Sequence, residues 1–224
     1  MSKRVPTIVP DDFKRFDLRL PFLILVSLMS FTGWSQSVKV SIHGRNFTGI
    51  LADEHFILLS SHGDTLLKPE GNYYMDFQFK DMNHDGNKDI LLAVNDNTPN
   101  TYELYLYQPN TRKFKEVSGY DDVPYPQPIK GTNYYYSYFH AGCSDYTWGS
   151  HLFFIKNFKV IKIGFIDGEG CGIKDGIYIY RQIGSKEKQI KVLPIATIQK
   201  YKLYKWGFLK DYWTKHYTEF LGSP

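Results

Sequence analysis

Short runs that alternate between apolar and polar residues, separated by turn residues, recur along most of this chain. They begin at Val38–Ile42 and continue to Lys188–Leu193, and the turns between them are rich in Gly, Asn, Asp and Pro. Strands at this spacing form all-β sandwiches, barrels or propellers. Tyr (18) and Phe (16) are abundant, which also favours strands. We predict an all-β chain, either an antiparallel β-propeller-like or a multi-sheet domain.

Two segments interrupt this pattern. Asp121–Gly131 is rich in proline, so it cannot form a central strand and is predicted to be a crossing loop. From Phe208 onward the large apolar residues recur at helical spacing, and Gly222 follows at a position typical of a helix C-terminus. We predict one C-terminal amphipathic helix that packs on the sheets.

Residues 1–35 have the features of an export signal. A basic segment precedes the 12-residue apolar run Leu20–Phe31, which is too short to span a bilayer comfortably, and small residues at 33 and 35 predict cleavage before Gln36. An uncleaved membrane anchor is the alternative. We predict residues 36–224 to be one calcium-stabilised β domain, exported to the periplasm or the extracellular space, with no stable membrane anchor after cleavage.

The charge of the mature chain excludes one class of partner. The chain has 27 Lys/Arg and 23 Asp/Glu, and residues 1–35 hold five and three of them, so 22 basic and 20 acidic residues remain. A net charge of +2 is too balanced to indicate nucleic-acid binding.

The chain contains two cysteines, Cys143 and Cys171, both in the predicted exported part. In an oxidising compartment we expect them to form a disulfide. Closing a loop of this length is worth about 3–4 kcal/mol in the chain-entropy model. Two separate buried thiols are the alternative.

The run from Asp81 to Asp89 places oxygen-bearing side chains at loop positions 1, 3, 5, 7 and 9. Ca²⁺ takes about 6–8 oxygen ligands at roughly 2.3–2.6 Å, and alternate residues of a tight loop can all point toward one ion. Gly86, at position 6, is expected to turn the chain with a positive φ. We predict calcium as cofactor, although a polar turn without metal is the alternative. The candidate ligands are Asp81, Asn83, Asp85, Asn87 and Asp89.

The flanks of the loop distinguish two kinds of calcium site. An EF-hand needs a helix on each side and a bidentate Glu at position 12, which is Leu92 here. The residues on both sides of the loop read as strands. The pattern therefore indicates a strand–loop–strand site, in which Asn87 gives its backbone carbonyl and Asp89 completes the ligand shell.

The run Asp81–Asp89, followed by apolar residues, resembles the calcium loop of FG-GAP/VCBS-type β-propeller repeats, D-x-[DN]-x-D-G-x-x-D. With the strand Tyr102–Tyr107 and the turn that ends at Phe114, it resembles a family of bacterial periplasmic proteins with a vestigial propeller and a single calcium loop. Some members are immunity proteins that inhibit lysozyme-like peptidoglycan hydrolases. The resemblance implies an exported calcium-binding inhibitor. This chain lacks a lipobox cysteine, so we expect a soluble form.

A second segment is similar to the calcium loop in residue types. Asp167–Ile177 has acidic residues at positions 1, 3 and 9 and Gly at position 6, but Cys171, a poor ligand for a hard cation, occupies position 5. One hypothesis is a decayed repeat in which a disulfide replaced the metal. Chance similarity in a Gly-rich turn is the alternative.

The sequence contains no H-E-x-x-H, no G-x-S-x-G and no P-loop, so we expect a binding protein with no catalytic residues. An inhibitor of a muramidase-like hydrolase needs a rigid loop that offers donors to two catalytic carboxylates. The segments around the cysteines are candidates, and the partner-binding residues would be Tyr146, Trp148 and Lys174. The alternative function is a surface adhesion or glycan-binding module that uses the aromatic run Tyr134–Phe139.

Overall fold

Three antiparallel sheets carry the fold, which confirms the predicted all-β, multi-sheet class. The structure is a computed structural model that describes residues 35–172 and 175–222. The predicted signal peptide therefore lies outside the described residues, except for Ser35. The first sheet is a four-stranded meander in sequence order. Its strands are β1 (Ser35–Ile42), β2 (Arg45–Ala52), β3 (His55–Ser60) and β4 (Thr65–Leu67).

The second sheet is also a four-stranded meander, and the predicted calcium loop connects its first two strands. Alternate residues of the first two sheets share one apolar core, in which Phe56, Phe77 and Leu92 are almost fully buried. The strands are β5 (Tyr74–Lys80), β6 (Asp89–Val94), β7 (Tyr102–Gln108) and β8 (Lys113–Glu116).

The third sheet is larger and takes the order β15-β14-β13-β12-β10-β9, with β11 also paired to β12. The proline-rich segment contributes only the two-residue edge strand β9, as expected for residues that cannot donate to a ladder. The strands are β9 (Gln127–Pro128), β10 (Tyr134–Tyr136), β11 (Phe139–Gly142), β12 (Thr147–Lys156), β13 (Lys159–Glu169), β14 (Gly176–Ile183) and β15 (Lys186–Leu193).

The chain ends in helical turns that cover one face of the third sheet. A 3-10 helix, Ile195–Lys200, leads to α1 (Lys205–His216), whose last turn tightens into a second 3-10 helix, Tyr217–Phe220. The C-cap of these turns is Leu221, so Gly222 follows at the C′ position, as predicted. Trp213 is buried against the sheet, and its Nε1–H donates to the Ser150 hydroxyl at 2.8 Å. No helix among the described residues has the length and apolar content to cross a membrane.

A further apolar cluster joins the second and third sheets beside the calcium loop. It contains Met82 from the loop, Leu104 from β7, and Tyr135 and Phe153 from the third sheet. The Tyr135 hydroxyl donates to the Met82 carbonyl oxygen, and burial raises the pKa of Tyr135 to about 12. The calcium loop is therefore attached directly to the sheet that carries the disulfide.

Candidate functional site

The calcium loop, Asp81–Asp89, turns sharply between β5 and β6. Gly86 has φ +87°, as the sequence predicts, and His84 has φ 63°. Positive φ is strained for a residue with a Cβ and free of that cost for glycine. The loop, with its oxygen-bearing side chains at odd-numbered positions, therefore closes within nine residues.

Three of these side chains already accept backbone N–H groups of the loop. The Asp81 Oδ2 accepts from Gly86 N–H at 3.0 Å, the Asp85 Oδ1 from Asn87 N–H at 2.8 Å, and the Asn83 Oδ1 from Asp85 N–H at 3.2 Å. These bonds fix the oxygens toward the inside of the turn. They also belong to an Asx turn, so they are compatible with both interpretations of the sequence.

Asp89 anchors the loop in the core. It is fully buried, and its two oxygens accept N–H groups from Met82 at 2.8 Å and from Tyr107 at 2.9 Å. Burial, helped by the charges of Asp85 and Asp81, raises the pKa of Asp89 to about 6, although the two N–H bonds act to lower it. Asp89 therefore ties the loop to β7, a role that sequence reasoning missed.

One buried oxygen of the loop lacks a hydrogen-bond partner. The Asp81 Oδ1 is buried and has no hydrogen-bond partner, which is costly for a carboxylate unless an ion or a water reaches it. The His43 ring nitrogen lies 2.7 Å from the Asn87 Oδ1, so Asn87 would use its backbone carbonyl.

Within the described ranges, no three His, Cys, Asp or Glu side chains converge as a metal group. A calcium ion here would therefore depend on Asn83 and a carbonyl beside the carboxylates of Asp81 and Asp85. Such an all-oxygen set is one that Ca²⁺ accepts.

The second candidate site is the disulfide turn, Gly142–Tyr146, between β11 and β12. The predicted disulfide between Cys143 and Cys171 is present. Cys143, Ser144 and Asp145 follow one another with φ of 54°, 50° and 70°. Left-handed backbone costs roughly 1–2 kcal/mol per non-glycine residue. A run of three persists only because the surroundings over-determine it, as is common at functional sites.

Two contacts of Asp145 hold this turn from the other side. Its carboxylate accepts a hydrogen bond from the Tyr138 hydroxyl and pairs with the Lys205 ammonium, which also donates to the Asp145 carbonyl oxygen at 3.0 Å. Burial alone would raise the pKa of Asp145, but Lys205 and Tyr138 outweigh it, and the pKa is lowered. The first residue of α1 thus clamps the turn.

The structure separates the three predicted partner-binding residues. Tyr146 is 63% exposed at the end of the disulfide turn. The prediction for Trp148 is wrong, because its indole is 1% exposed and lies over Gly168, where an added Cβ would be 2.1 Å from the ring. Lys174 lies outside the described residues.

The aromatic run Tyr134–Phe139 is part of the core. Tyr135, Tyr136 and Tyr138 are all buried, so this run does not offer the flat binding face considered for a glycan. The alternation in sequence reflects two buried sides, one toward α1 and one toward the second sheet.

An aromatic row that the sequence did not reveal crosses the outer face of the third sheet. His151 stacks on Phe165 at 4.9 Å and lies 5.5 Å from Phe139, and Phe165 stacks on Tyr180 at 6.0 Å. Burial and the nearby Lys162 lower the pKa of His151 to about 3. Each residue comes from a different strand, so only the register brings them together.

The second acidic segment differs from the calcium loop in its backbone. Asp167 and Glu169 lie within β13, paired across to β12 and β14. In the calcium loop, Asp81 and Asn83 follow the end of β5. The similarity in residue types therefore does not extend to the positions of the strands.

Comparisons with known proteins leave the family open. No family model matches the chain, and no curated protein matches it. A solved structure described as "Structure of a Xanthomonas Type IV Secretion System related protein" is similar at 14% identity, with a TM-score of 0.48, over 69% of this chain and 93% of that chain.

Proposed function

We propose that this chain is an exported, calcium-binding protein that acts by binding another protein, and that it inhibits a peptidoglycan hydrolase. The disulfide supports a location outside the cytoplasm, since such bonds persist in oxidising compartments. In this proposal the chain is a binding protein with no catalytic activity.

The observation that carries the proposal is the disulfide turn with its exposed tyrosine. A covalent bond, a carboxylate–ammonium pair and a tyrosine hydroxyl hold a strained backbone in one shape. A preorganised loop loses little conformational entropy on binding. Glycosidases place two carboxyl groups on either side of the scissile bond, and the Tyr146 hydroxyl is a donor that such a turn can insert between them.

Calcium has a structural role in this proposal. The loop offers four candidate protein ligands besides the buried Asp89, which leaves little room for a substrate, whereas a catalytic metal keeps an open position. The Met82 carbonyl oxygen accepts from Tyr135 of the third sheet. Calcium would therefore stiffen the contact between the sheets and support the disulfide turn indirectly.

The test is a muramidase assay with purified residues 36–224. We expect inhibition of at least one lysozyme-type enzyme, and a loss of roughly tenfold or more in inhibition for Tyr146→Ala, because exposed aromatic anchors dominate hot spots. Tyr73→Ala is the matched control, since Tyr73 is 55% exposed and lies just before β5, away from the disulfide turn in sequence. Equal inhibition by Tyr146→Ala and Tyr73→Ala would show that Tyr146 does not contact the hydrolase.

The aromatic row favours a second candidate function, a glycan-binding or adhesion module. Stacked rings on a sheet face offer a platform for sugar rings, and Phe139, His151 and Phe165 are half-buried there. A glycan array with wild type and Phe165→Ala separates the two candidates. Binding that depends on Phe165 but not on Tyr146 supports the second.

A further inference from the structure

A long stretch near the C-terminus is uniformly basic. Between Glu187 and Asp211 the chain carries six lysines and no acidic residue. Lys200 and Lys202 are exposed, whereas Lys205 is half-buried in its pair with Asp145. The segment Lys200–Trp206, here named the basic arm, alternates lysines with Tyr, Leu and Trp.

The basic arm exposes large apolar side chains next to the disulfide turn. Leu203 is 67% exposed and Tyr204 64% exposed, and Trp206 contacts the exposed Tyr125 with ring centroids 5.1 Å apart. With Tyr146 they form a patch of five exposed apolar residues on one side of the molecule. Contiguous exposed apolar surface with a polar rim marks an interaction site.

The patch surrounds a cleft of about 400 Å³ between the arm and the turn. Its lining includes the exposed Tyr146 and Tyr204 and the partly buried Ile195 and Ile198. A cavity of this size, apolar inside with charged groups at its edge, can receive a side chain from a partner.

The basic arm, like the disulfide turn, combines left-handed backbone with a contact that holds it in place. Leu203 and Tyr204 have φ of 69° and 48°, and the next residue, Lys205, is bonded to Asp145. Strained backbone on both sides of one cleft indicates that the two segments are built to present a single shape.

We propose that the basic arm and the disulfide turn form one docking surface for an acidic, concave site on a partner protein. The arm exposes Lys200 and Lys202, which attract carboxylates, in the same segment as the aromatics that contact the partner. This inference rests on the proposed inhibitory function and names the charge of the partner site.

The geometry favours a protein over a membrane or a flexible polyanion. A membrane surface or a polymer selects for charge and apolar area and does not require a fixed shape. Here exposed aromatics and exposed lysines lie in one short segment, and strained backbone in the arm and in the disulfide turn fixes the arrangement. Exposed aromatics held in a fixed shape are typical of a protein–protein hot spot.

The experiment compares two double charge reversals in the chain of residues 36–224. Lys200→Glu with Lys202→Glu alters the arm. Lys186→Glu with Lys188→Glu is the matched control, because these lysines are also exposed and lie at the opposite end of β15. Inhibition of a panel of purified lysozyme-type muramidases is measured at low and high salt, with melting temperatures alongside.

We expect the arm variant to lose about tenfold or more in inhibition at low salt and the control to lose little. The loss should shrink at high salt, because salt screens exposed charges, and both melting temperatures should stay within a few degrees of wild type. Inhibition by the arm variant equal to wild type overturns the docking surface and leaves the proposed function standing.

Two other outcomes also decide the matter. If the wild type inhibits no muramidase of the panel, the proposed function fails and the docking surface with it. If the wild type binds phosphatidylglycerol vesicles through Lys200 and Lys202 while inhibition is unchanged, the arm is a membrane-binding surface and the proposal is wrong.

Discussion

The calcium loop and the disulfide turn both connect neighbouring antiparallel strands, and both hold residues with positive φ, yet different forces stabilise them. In the calcium loop, carboxylates accept backbone N–H groups, and Asp89 anchors the loop in the core. In the disulfide turn, the bond to Cys171 and the ion pair with Lys205 stabilise the backbone through residues that lie outside the turn.

The two segments also differ in their surroundings, since one is buried between sheets and the other ends at the surface. Asp89 and Met82 of the calcium loop are buried between sheets, so a fault there disturbs the whole fold. The disulfide turn ends in the exposed Tyr146, so a fault there disturbs a surface. We therefore expect changes in the calcium loop to affect stability first and changes in the turn to affect binding as well.

The largest effect on stability is expected from Asp89→Ala. It leaves the N–H groups of Met82 and Tyr107 buried without acceptors, at about 1–3 kcal/mol each, and opens a small void. We expect a loss of roughly 3–5 kcal/mol in the free energy of unfolding, measured by urea titration in EDTA. Asp64→Ala, at an exposed turn, should cost less than about 1 kcal/mol. A similarly small loss of stability for Asp89→Ala and Asp64→Ala would mean that water can replace the Asp89 carboxylate as the acceptor for the two N–H groups.

Removing the disulfide should cost nearly as much. The double variant Cys143→Ser with Cys171→Ser frees a loop of sequence separation 28, worth about 3–4 kcal/mol in the chain-entropy model. It should also release the left-handed turn, so that inhibition by Tyr146 falls more than stability alone explains. The response of the melting temperature to EDTA should remain that of wild type.

The opposite EDTA result would contradict the view that different forces stabilise the two segments independently. A lost EDTA response in the cysteine variant would mean that the two segments are energetically one unit, coupled through the contact of Tyr135 with Met82. The single variant Tyr135→Phe, which removes that hydrogen bond alone, would then show the same coupling.

Calcium removal comes next. An ion that binds only the native state adds about 2.7 kcal/mol at a hundredfold excess over its dissociation constant, so EDTA should lower the melting temperature of wild type. Asp85→Ala should respond little to EDTA. In EDTA it should be about as stable as wild type, because relief of the repulsion between Asp85 and the buried Asp89 offsets the lost hydrogen bond from the Asn87 N–H. Equal responses of both proteins to EDTA would show that the loop is a turn without metal.

The sequence was sufficient for features that depend on neighbours along the chain. Alternation predicted the strands with boundaries close to those observed, and position 6 of the loop predicted the positive φ of Gly86. The presence of two cysteines in a chain predicted to be exported was enough to predict the disulfide. Each of these signals is contained in a few consecutive residues or in a count.

Features that depend on the register between paired strands could not be predicted from the sequence. Trp148 is buried because Gly168 stands opposite it on β13, and Asp89 is an anchor because Tyr107 lies one strand away. The aromatic row of His151 and Phe165 also exists only through strand pairing. A shift of one residue in the ladder would turn each of these side chains to the other face.

The smallest expected effect is a difference in acid sensitivity between the calcium loop, through Asp89, and the third sheet, through His151. It tests whether burial sets the pKa of both residues. Burial lowers the pKa of His151 from 6.5 to about 3 and raises the pKa of Asp89 from 3.8 to about 6. Stability from His151 is fully present above pH 6.5 and is lost as the pH falls toward 3. Stability from Asp89, in EDTA, is present below pH 3.8 and is lost as the pH rises through 6.

His151→Phe should therefore reduce the acid loss between pH 6.5 and 3 by up to about 1.4 kcal/mol per pH unit, since one fewer proton is bound on unfolding. The ring keeps its stacking between Phe139 and Phe165, so stability near neutral pH should change little. His55→Phe is the matched control, because the exposed His55 also contacts an aromatic ring, that of Tyr73, with ring centroids 5.4 Å apart. The same acid slope in wild type and His151→Phe would show that His151 takes up its proton in the folded state, and that the third sheet is more open to water at this position than its packing indicates.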